Sequence, residues 1–225
     1  MDYDTPRDLV NELQKEIWIK KVIVNRANGR MRSWVTTVHP DQLQCEIDGP
    51  CIHGSYNLCQ TFIFSDGTIR LLPFPIAGKI YEKYADEKVA MEVEVLMLVR
   101  ERTSIPVPKV YSWGLAADNP LGLGPFIPMD FIEGIHVSTL LRDSDSDSIL
   151  IREDISDRDI EYLYRQISWF QLQLFHLNFD RIGNLPTLKR GFSAPVRPLT
   201  WKVHDVIQLG GVNTFGICHP LCDRY

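Results

Sequence analysis

Residues 52–74, IHGSYNLCQTFIFSDGTIRLLPF, carry the clearest strand signal in the chain. Two apolar runs flank residues 65–67, Ser-Asp-Gly, a sequence typical of a tight turn between paired strands. Pro73 and Pro75 should end the second run, because proline lacks the N–H that a β-ladder requires. The stretch therefore predicts an antiparallel β-hairpin, which the chain enters through residues 54–57.

A long amphipathic helix is predicted after the hairpin, at residues 82–102. Apolar residues recur there at near-3.6 spacing, and Lys and Glu fill the other face. The prolines of segment 103–108 end the helix, since residues before proline avoid helical geometry. Short strands follow at residues 108–113 and 125–132, separated by a glycine-containing loop. This order predicts an α+β lobe, in which an antiparallel sheet carries one long helix.

Two further helices are predicted outside this lobe. Residues 5–21 begin with Thr-Pro, a favourable helix start, and apolar residues then recur every four positions. Residues 157–177 form a second amphipathic pattern, capped by Ser156 with Asp159 in its first turn. The alternating Asp and Ser residues at 143–148 cannot bury apolar area, so we expect a solvated surface loop there.

Charge and hydropathy argue against two classes of function. The net charge is −5, which does not suit a general nucleic-acid binder, because such proteins need clustered Lys and Arg. No stretch approaches the roughly 18 consecutive apolar residues of a membrane-spanning helix. The first ten residues lack the apolar run of a secretory signal. We therefore expect a cytoplasmic protein that binds neither nucleic acid nor membrane.

The cysteines are odd in number and follow no disulfide framework, which favours reduced thiols. Neither of two conceivable metal-binding groups has the paired short spacing of a structural zinc site, so we predict no metal. These groups are Cys45, Cys51, His53 and Cys59, and Cys218, His219 and Cys222.

Three strings carry a resemblance to a known family: GSYNLCQTFIFSDG at 54–67, MEVEVLMLVRERTSIPVPKVYSWG at 91–114 and NPLGLGPFIPMDFIEG at 119–134. Together they resemble the fungal branch of aminoglycoside-phosphotransferase-like proteins. The strings at 166–185 and 197–211 are similar to the same family, whereas residues 212–225 depart from it.

The resemblance implies a protein-kinase-like architecture. It implies an N-terminal helical segment at residues 1–35 and a nucleotide-binding N-lobe at residues 36–134. Residues 129–134 would form the hinge that follows the N-lobe. Residues 135–225 would then be a partial, mainly helical C-lobe.

The resemblance assigns the nucleotide's phosphates to the turn Gly54-Ser55-Tyr56, where backbone N–H groups can approach anions. From its residues alone, the turn is equally consistent with an ordinary strand entry. The family usually places a basic residue on the next strand just before a Phe-Pro pair, and this chain has Pro73 there. Arg70 is the candidate substitute, although an odd offset along a strand points a side chain to the opposite face.

Glu92 matches the family's helix glutamate, which pairs with the strand cation. A solvent-facing helix residue is the alternative. Segment 129–134 matches the hinge, whose backbone reads the edge of adenine, and a plain edge strand is the alternative there. The hinge positions implied to contact the nucleotide are Met129, Asp130, Phe131 and Ile132. ATP is therefore the candidate ligand, and we expect it to bind weakly because the strand lacks its cation.

Phosphoryl transfer by this fold needs an Asp in an H-x-D-x-x-x-x-N string and a second Asp for Mg²⁺. His204-Asp205 and His219 with Asp223 have the wrong spacing. We therefore predict no catalytic residue and no Mg²⁺ site in these 225 residues, and a chain that is inactive in phosphoryl transfer. One alternative is a pseudokinase-like module that binds a nucleotide, or that binds a protein partner through helix 157–177. The other is a truncated gene product.

Overall fold

The computed structural model describes residues 4–80, 82–142, 152, 154–179 and 183–187, with side chains from residue 8 onward. The chain divides into two units. The first holds the described residues up to Met97, Pro108–Phe131 and 183–187; the second holds Leu98–Val107 and the described residues from Ile132 to 179. The division between Phe131 and Ile132 falls within the predicted hinge, residues 129–134.

Apart from two short 3-10 helices at Glu82–Tyr84 and Ala116–Asp118, the described elements are five α-helices and four strands. In chain order they are α1 (Asp4–Ala27), α2 (Arg30–Val38), β1 (Cys45–His53), β2 (Asn57–Phe64), β3 (Ile69–Pro75), α3 (Ala85–Arg102), β4 (Met129–Asp130), α4 (Val137–Leu141) and α5 (Asp157–Phe175). No described helix is long and apolar enough to cross a bilayer.

The four strands form one antiparallel sheet in the order β1-β2-β3-β4. The tight turn at 65–68 closes the β2–β3 hairpin, with the Gly67 N–H donating to the Phe64 carbonyl at 2.9 Å. The predicted hairpin and the α+β class are thereby confirmed. Helix α3 lies in the chain between β3 and β4, as the sequence pattern predicts.

Each face of the sheet packs against helical residues. One face of the sheet and helices α1 and α2 enclose the larger apolar core. In this core the rings of Trp34 and Phe126 pack edge to face, with their centroids 4.7 Å apart. The other face packs Leu71 and Met129 against Val89 and Val93 of α3. Because side chains alternate along a strand, Leu71 and Leu72 belong to different faces and to different cores.

Strand β3 runs through both of its prolines, whereas the sequence analysis expected them to end it. The structure pairs Cys59 with Pro73 and Asn57 with Pro75. Strand β4 pairs only with Arg70 and Leu71, so beyond those residues β3 has a neighbour on one side alone. Proline is tolerated at such an edge because no partner there needs its missing N–H.

Helix α1 extends beyond its predicted range, residues 5–21. Two buried hydrogen bonds join it to the loop before β4: the Trp18 indole N–H donates to the Leu123 carbonyl at 3.0 Å, and the Asn25 amide donates to the Leu121 carbonyl at 3.2 Å. Strand β1 and helix α2 were not predicted. The predicted strands 108–113 and 125–132 are reduced to β4 and two isolated bridges.

Helix α5 of the second unit begins as the sequence predicts. The Ser156 hydroxyl accepts the Asp159 backbone N–H at 3.2 Å and donates to the Asp159 carboxylate at 2.7 Å. This capping interaction satisfies one of the amide groups that every helix leaves unpaired at its N-terminus. No described side chain of α5 is fully buried.

Candidate functional site

The candidate site lies on the α3-facing side of the β2–β3 hairpin, at the end where the chain enters β2. Cys59 and its partner Pro73 lie on this face, two residues along each strand from the Leu71 contact with α3. Pro73 is buried, so the position where the family resemblance expects a cation carries a buried, uncharged ring. The strand itself brings no positive charge to this point.

Glu92 lies on α3 next to Val93, which packs with Leu71 on this face of the sheet. The pKa of the Cys59 thiol is raised to about 11, mainly by burial and further by the negative charge of Glu92. Both effects disfavour a thiolate, one by removing water and the other by repulsion. Helix α3 thus covers the face of the sheet on which the family resemblance expects the partner of Glu92.

The charge partner of Glu92 comes from the helix. Lys88 Nζ lies 2.7 Å from Glu92 Oε2, one helical turn away, and the two side chains are 26% and 33% exposed. Every other described ion pair has at least one side chain that is more than half exposed to solvent. The Lys88–Glu92 pair is therefore the most sheltered of them.

Arg70 lies on the opposite face of the sheet. Its guanidinium stacks 3.8 Å from the centroid of Tyr111 and 5.0 Å from that of Phe64, a residue of the larger core. Leu71, the next residue along the strand, points toward α3, so the Arg70 side chain points away from α3. The structure therefore does not bring Arg70 together with Glu92.

The turn Gly54-Ser55-Tyr56 connects β1 to β2 and is exposed throughout. The Gly54 N–H donates to the Asn57 carbonyl at 2.8 Å, and the Tyr56 carbonyl accepts the Ile76 N–H at 2.8 Å. A side chain at Gly54 would place its Cβ 3.1 Å from the Asn57 carbonyl oxygen. The turn is thus tight and is held by β2 and by the residue that follows β3, and it ends three residues before Cys59.

The predicted hinge residues are partly engaged within the first unit. Met129 is buried against α3, and the Asp130 backbone N–H donates to the Lys109 carbonyl at 3.0 Å. The Asp130 carboxylate accepts the Lys109 N–H at 2.9 Å and the Tyr111 hydroxyl at 2.7 Å. Phe131 is the last residue of the segment Pro108–Phe131 of the first unit. Ile132 belongs to the second unit and is 64% exposed.

Lys88 was not predicted as a site residue. The signal was present, because Lys88 and Glu92 are four residues apart on a predicted helix and such residues are neighbours. A Lys that precedes its Glu stabilises a helix less than the reverse order. Sequence alone could pair the two residues, but it could not show that α3 packs on the face of the sheet that carries Pro73.

In the described part of the chain, the conceivable metal group at residues 45–59 is engaged in other contacts. Cys45 is buried and its thiol donates to the Arg32 carbonyl at 3.6 Å, while the Cys51 thiol donates to the Gln60 side-chain oxygen at 3.2 Å. Within the described ranges, no three His, Cys, Asp or Glu residues converge as metal ligands would. The group at 218–222 lies outside the described residues.

A separate groove of about 670 Å³ runs between α1 and β1. Its walls are largely apolar and include Ile19, Ile23 and Leu58, with Arg26 at one side. Arg26 is already engaged, because its guanidinium donates to the Gly49 carbonyl at 2.9 Å. The groove shares no lining residue with the Glu92 site.

Comparisons with known proteins place few constraints on this chain. No family model matches it, and no solved structure matches it. Altered inheritance of mitochondria protein 9, mitochondrial, from Zygosaccharomyces rouxii is 27% identical over 170 residues, which are 74% of this chain. The match covers 26% of that protein, so this chain spans about a quarter of the relative's length.

Proposed function

We propose that the lobe at residues 36–134 is a kinase-like nucleotide-binding lobe of the aminoglycoside-phosphotransferase type. The observation that carries the proposal is the position of Glu92 on α3. It is partly buried and paired with Lys88, and the next residue, Val93, packs on the face of the sheet that carries Cys59. Along β2, Cys59 is two residues from Asn57, whose carbonyl accepts the N–H of Gly54 in the exposed turn. In kinase-like folds a glycine turn covers the phosphates, and a helix glutamate holds a cation in place next to them. A glycine turn before β2 and a glutamate on the helix that packs on this sheet therefore support the proposal.

The chain topology supports the same proposal. The sheet order β1-β2-β3-β4 places the long helix between its third and fourth strands in sequence. Strand β4, Met129–Asp130, follows the helix as the last strand of the sheet. An extended segment in this position suits the recognition of adenine by backbone groups, which needs no particular side chain.

The proposed activity is nucleotide binding without phosphoryl transfer. Transfer by this fold relies on an Asp base and on carboxylates that hold Mg²⁺, which together stabilise the transition state. The sequence offers no H-x-D-x-x-x-x-N string for these roles. ATP should therefore bind weakly and without a requirement for Mg²⁺.

A thermal-shift titration tests this proposal. A ligand that binds only the folded state must raise the melting temperature, so we expect a rise with millimolar ATP both with and without Mg²⁺. Glu92→Gln should reduce the rise, whereas the control Glu94→Gln, on the same helix, should leave it unchanged. No rise for the wild-type protein at millimolar ATP would refute nucleotide binding.

A protein-binding module is the second candidate function. It is favoured by the apolar side chains that α5 leaves exposed, among them Trp169 at 58%, Leu172 at 52% and Phe175 at 82%. Contiguous exposed apolar groups of this size mark interaction sites in soluble proteins. The proposed partner surface is therefore helix 157–177.

Proximity labelling in cells would test this second function. We expect neighbours that are labelled by the wild-type chain to be lost in Trp169→Asp. The control Glu161→Lys changes a charged residue on the same helix and should retain them. Equal labelling by all three proteins would rule out α5 as the partner surface.

The compartment of the protein remains a proposal. Charge and hydropathy led us to propose the cytoplasm, whereas the name of the similar Zygosaccharomyces rouxii protein includes mitochondria. Imaging of a chain with a C-terminal fluorescent tag, together with a mitochondrial marker, distinguishes the two.

A further inference from the structure

We propose that Lys88, on helix α3, supplies the cation that binds the nucleotide's phosphates, in place of a residue on strand β3. This inference rests on the proposed nucleotide-binding function and names a binding residue that the family resemblance does not assign. Glu92 is then a positioning residue, which holds the Lys88 ammonium through their 2.7 Å contact.

The strand lacks a cation on this face. Pro73 occupies the position at which the family resemblance expects the cation, and its partner across the hairpin is Cys59, whose thiol has no charge at neutral pH. Arg70 stacks on Tyr111 on the other face of the sheet. Neither strand of the hairpin can therefore present a positive charge to a phosphate at this point.

Lys88 lies on the helix that packs on this face of the sheet, because Val89 and Val93 of α3 contact the core around Leu71. The Lys88 side chain contacts Glu92, and Cys59 lies on the same face of the sheet, two residues along its strand from the pairing position of Leu71. Cys59 is only two residues from Asn57, whose carbonyl closes the Gly54 turn. The ion pair and the glycine turn thus belong to one unit of the molecule, and α3 packs on the face of the hairpin that carries Cys59.

The Lys88 ammonium has donors left for an anion. An ammonium group carries three N–H donors, and the contact with Glu92 uses one of them. The Lys88 side chain is 26% exposed, so a ligand can approach it from solvent. Lysine binds phosphate as a point charge, so it needs no fixed fork geometry. A lysine held by a partly buried acid is therefore suited to meet an anion with little loss of side-chain freedom.

The experiment compares nucleotide affinities of variants by isothermal titration calorimetry. Lys88→Met should weaken ATP and ADP binding about tenfold or more, since a charge-assisted hydrogen bond is lost. Lys88→Arg should stay within about threefold of the wild type because it retains the charge. Lys83→Met, five residues earlier in the same region, is the matched control and should bind as the wild type does.

Adenosine provides a readout that a general loss of structure would not mimic. It lacks phosphates, so its affinity should be the same for the wild type and for Lys88→Met. If Lys88→Met binds ATP as tightly as the wild type, the role of Lys88 is refuted while the proposed function stands. If it loses ATP and adenosine equally, Lys88 has a structural role only and the inference is wrong.

Absence of ATP binding by the wild-type chain would be a different result. It would overturn the proposed function, and the inference about Lys88 would fall with it. A smaller dependence of ATP affinity on salt in Lys88→Met than in the wild type would support the inference, because one charge contact is gone.

Discussion

His39 is a buried histidine whose environment holds it in the neutral form. It is 4% exposed, its ring lies 4.6 Å from that of Phe64, and its Nδ1 accepts the Asp41 backbone N–H at 3.2 Å. Its Nε2 is buried without a hydrogen-bond partner in the described part of the chain. Burial lowers the His39 pKa below 6.5, and the nearby charge of Arg70 lowers it further, against smaller opposing effects of Asp41 and Asp66.

This environment predicts a pH-dependent stability. Below about pH 6.5 the unfolded chain binds a proton at this histidine more readily than the folded chain does, so stability falls as the pH decreases. His39→Leu removes that contribution. We expect the melting temperature to fall further between pH 7 and pH 5 for the wild type than for His39→Leu. The control His136→Leu, a change at an exposed histidine, should show the same fall as the wild type. Parallel pH curves for wild type and His39→Leu would contradict the assignment.

The residues of the candidate site were only partly predictable at the residue scale. Glu92 and the turn at 54–56 were predicted from the family resemblance, and the structure places them on the helix that packs on the sheet and at the start of β2. The position of Arg70 followed from strand alternation, a local rule. Lys88 did not, because its importance depends on which face of α3 packs against the sheet.

At the scale of elements, strand β1 contains an irregularity at which side chains of β2 donate hydrogen bonds to its backbone. Its pairing with β2 shifts between Asp48 and Ile52, and Gly49 has φ of 61° there. Such a bulge leaves backbone groups without ladder partners. The Thr61 hydroxyl donates to the Asp48 carbonyl at 2.6 Å, and the fully buried Gln60 amide donates to the same carbonyl at 3.0 Å.

Gln60 should therefore be a stabilising residue of the sheet. Gln60→Met keeps the approximate volume but removes the amide that pairs with the Asp48 carbonyl and accepts the Cys51 thiol. We expect a loss of about 1–3 kcal/mol in the free energy of unfolding, since buried polar groups lose their partners. Urea denaturation measures it.

The control for this change is Gln44→Met, at an exposed glutamine. It should alter the free energy of unfolding by less than about 0.5 kcal/mol, as is usual for surface substitutions. Equal stabilities of Gln60→Met and the wild type would show that the bulge does not depend on the Gln60 amide.

At the scale of the whole molecule, the two units differ in how their elements are held. The first unit buries a large apolar core with Phe62, Phe74 and Met31 at 0–1% exposure. In the second, no described side chain of helix α5 is fully buried, and Phe175 is 82% exposed. An isolated helix of this length is only marginally stable in water, so tertiary packing normally provides most of its stability.

Hydrogen exchange should reveal this difference. We expect amides of β2 and β3 to exchange only through global unfolding, and amides of α5 to exchange through low-energy local opening. Mass spectrometry of peptic peptides that cover 57–75 and 157–175 measures both. Equal protection of the two segments would mean that α5 is stabilised by something other than the contacts of its own described residues.

If α5 is the proposed partner surface, its exchange is also the readout of binding. A bound protein would bury Trp169 and Leu172 and slow the exchange of the helix amides. The sheet amides should change little, because their protection already reflects global stability.

The amino-acid sequence by itself determined the elements whose information is local. The β2–β3 hairpin, α3 and the Ser156-capped α5 each repeat a hydrophobic period and end at a turn or cap residue, so short windows suffice to find them. The tertiary structure alone decided the rest. The Gly49-Pro50 pair argues against a strand locally, yet β1 forms because β2 and the side chains of Gln60 and Thr61 satisfy its backbone. Likewise, only the tertiary structure packs α3, with Lys88 and Glu92, on the face of the sheet that carries Pro73, because contacts between segments far apart in the chain leave no periodic trace in either one.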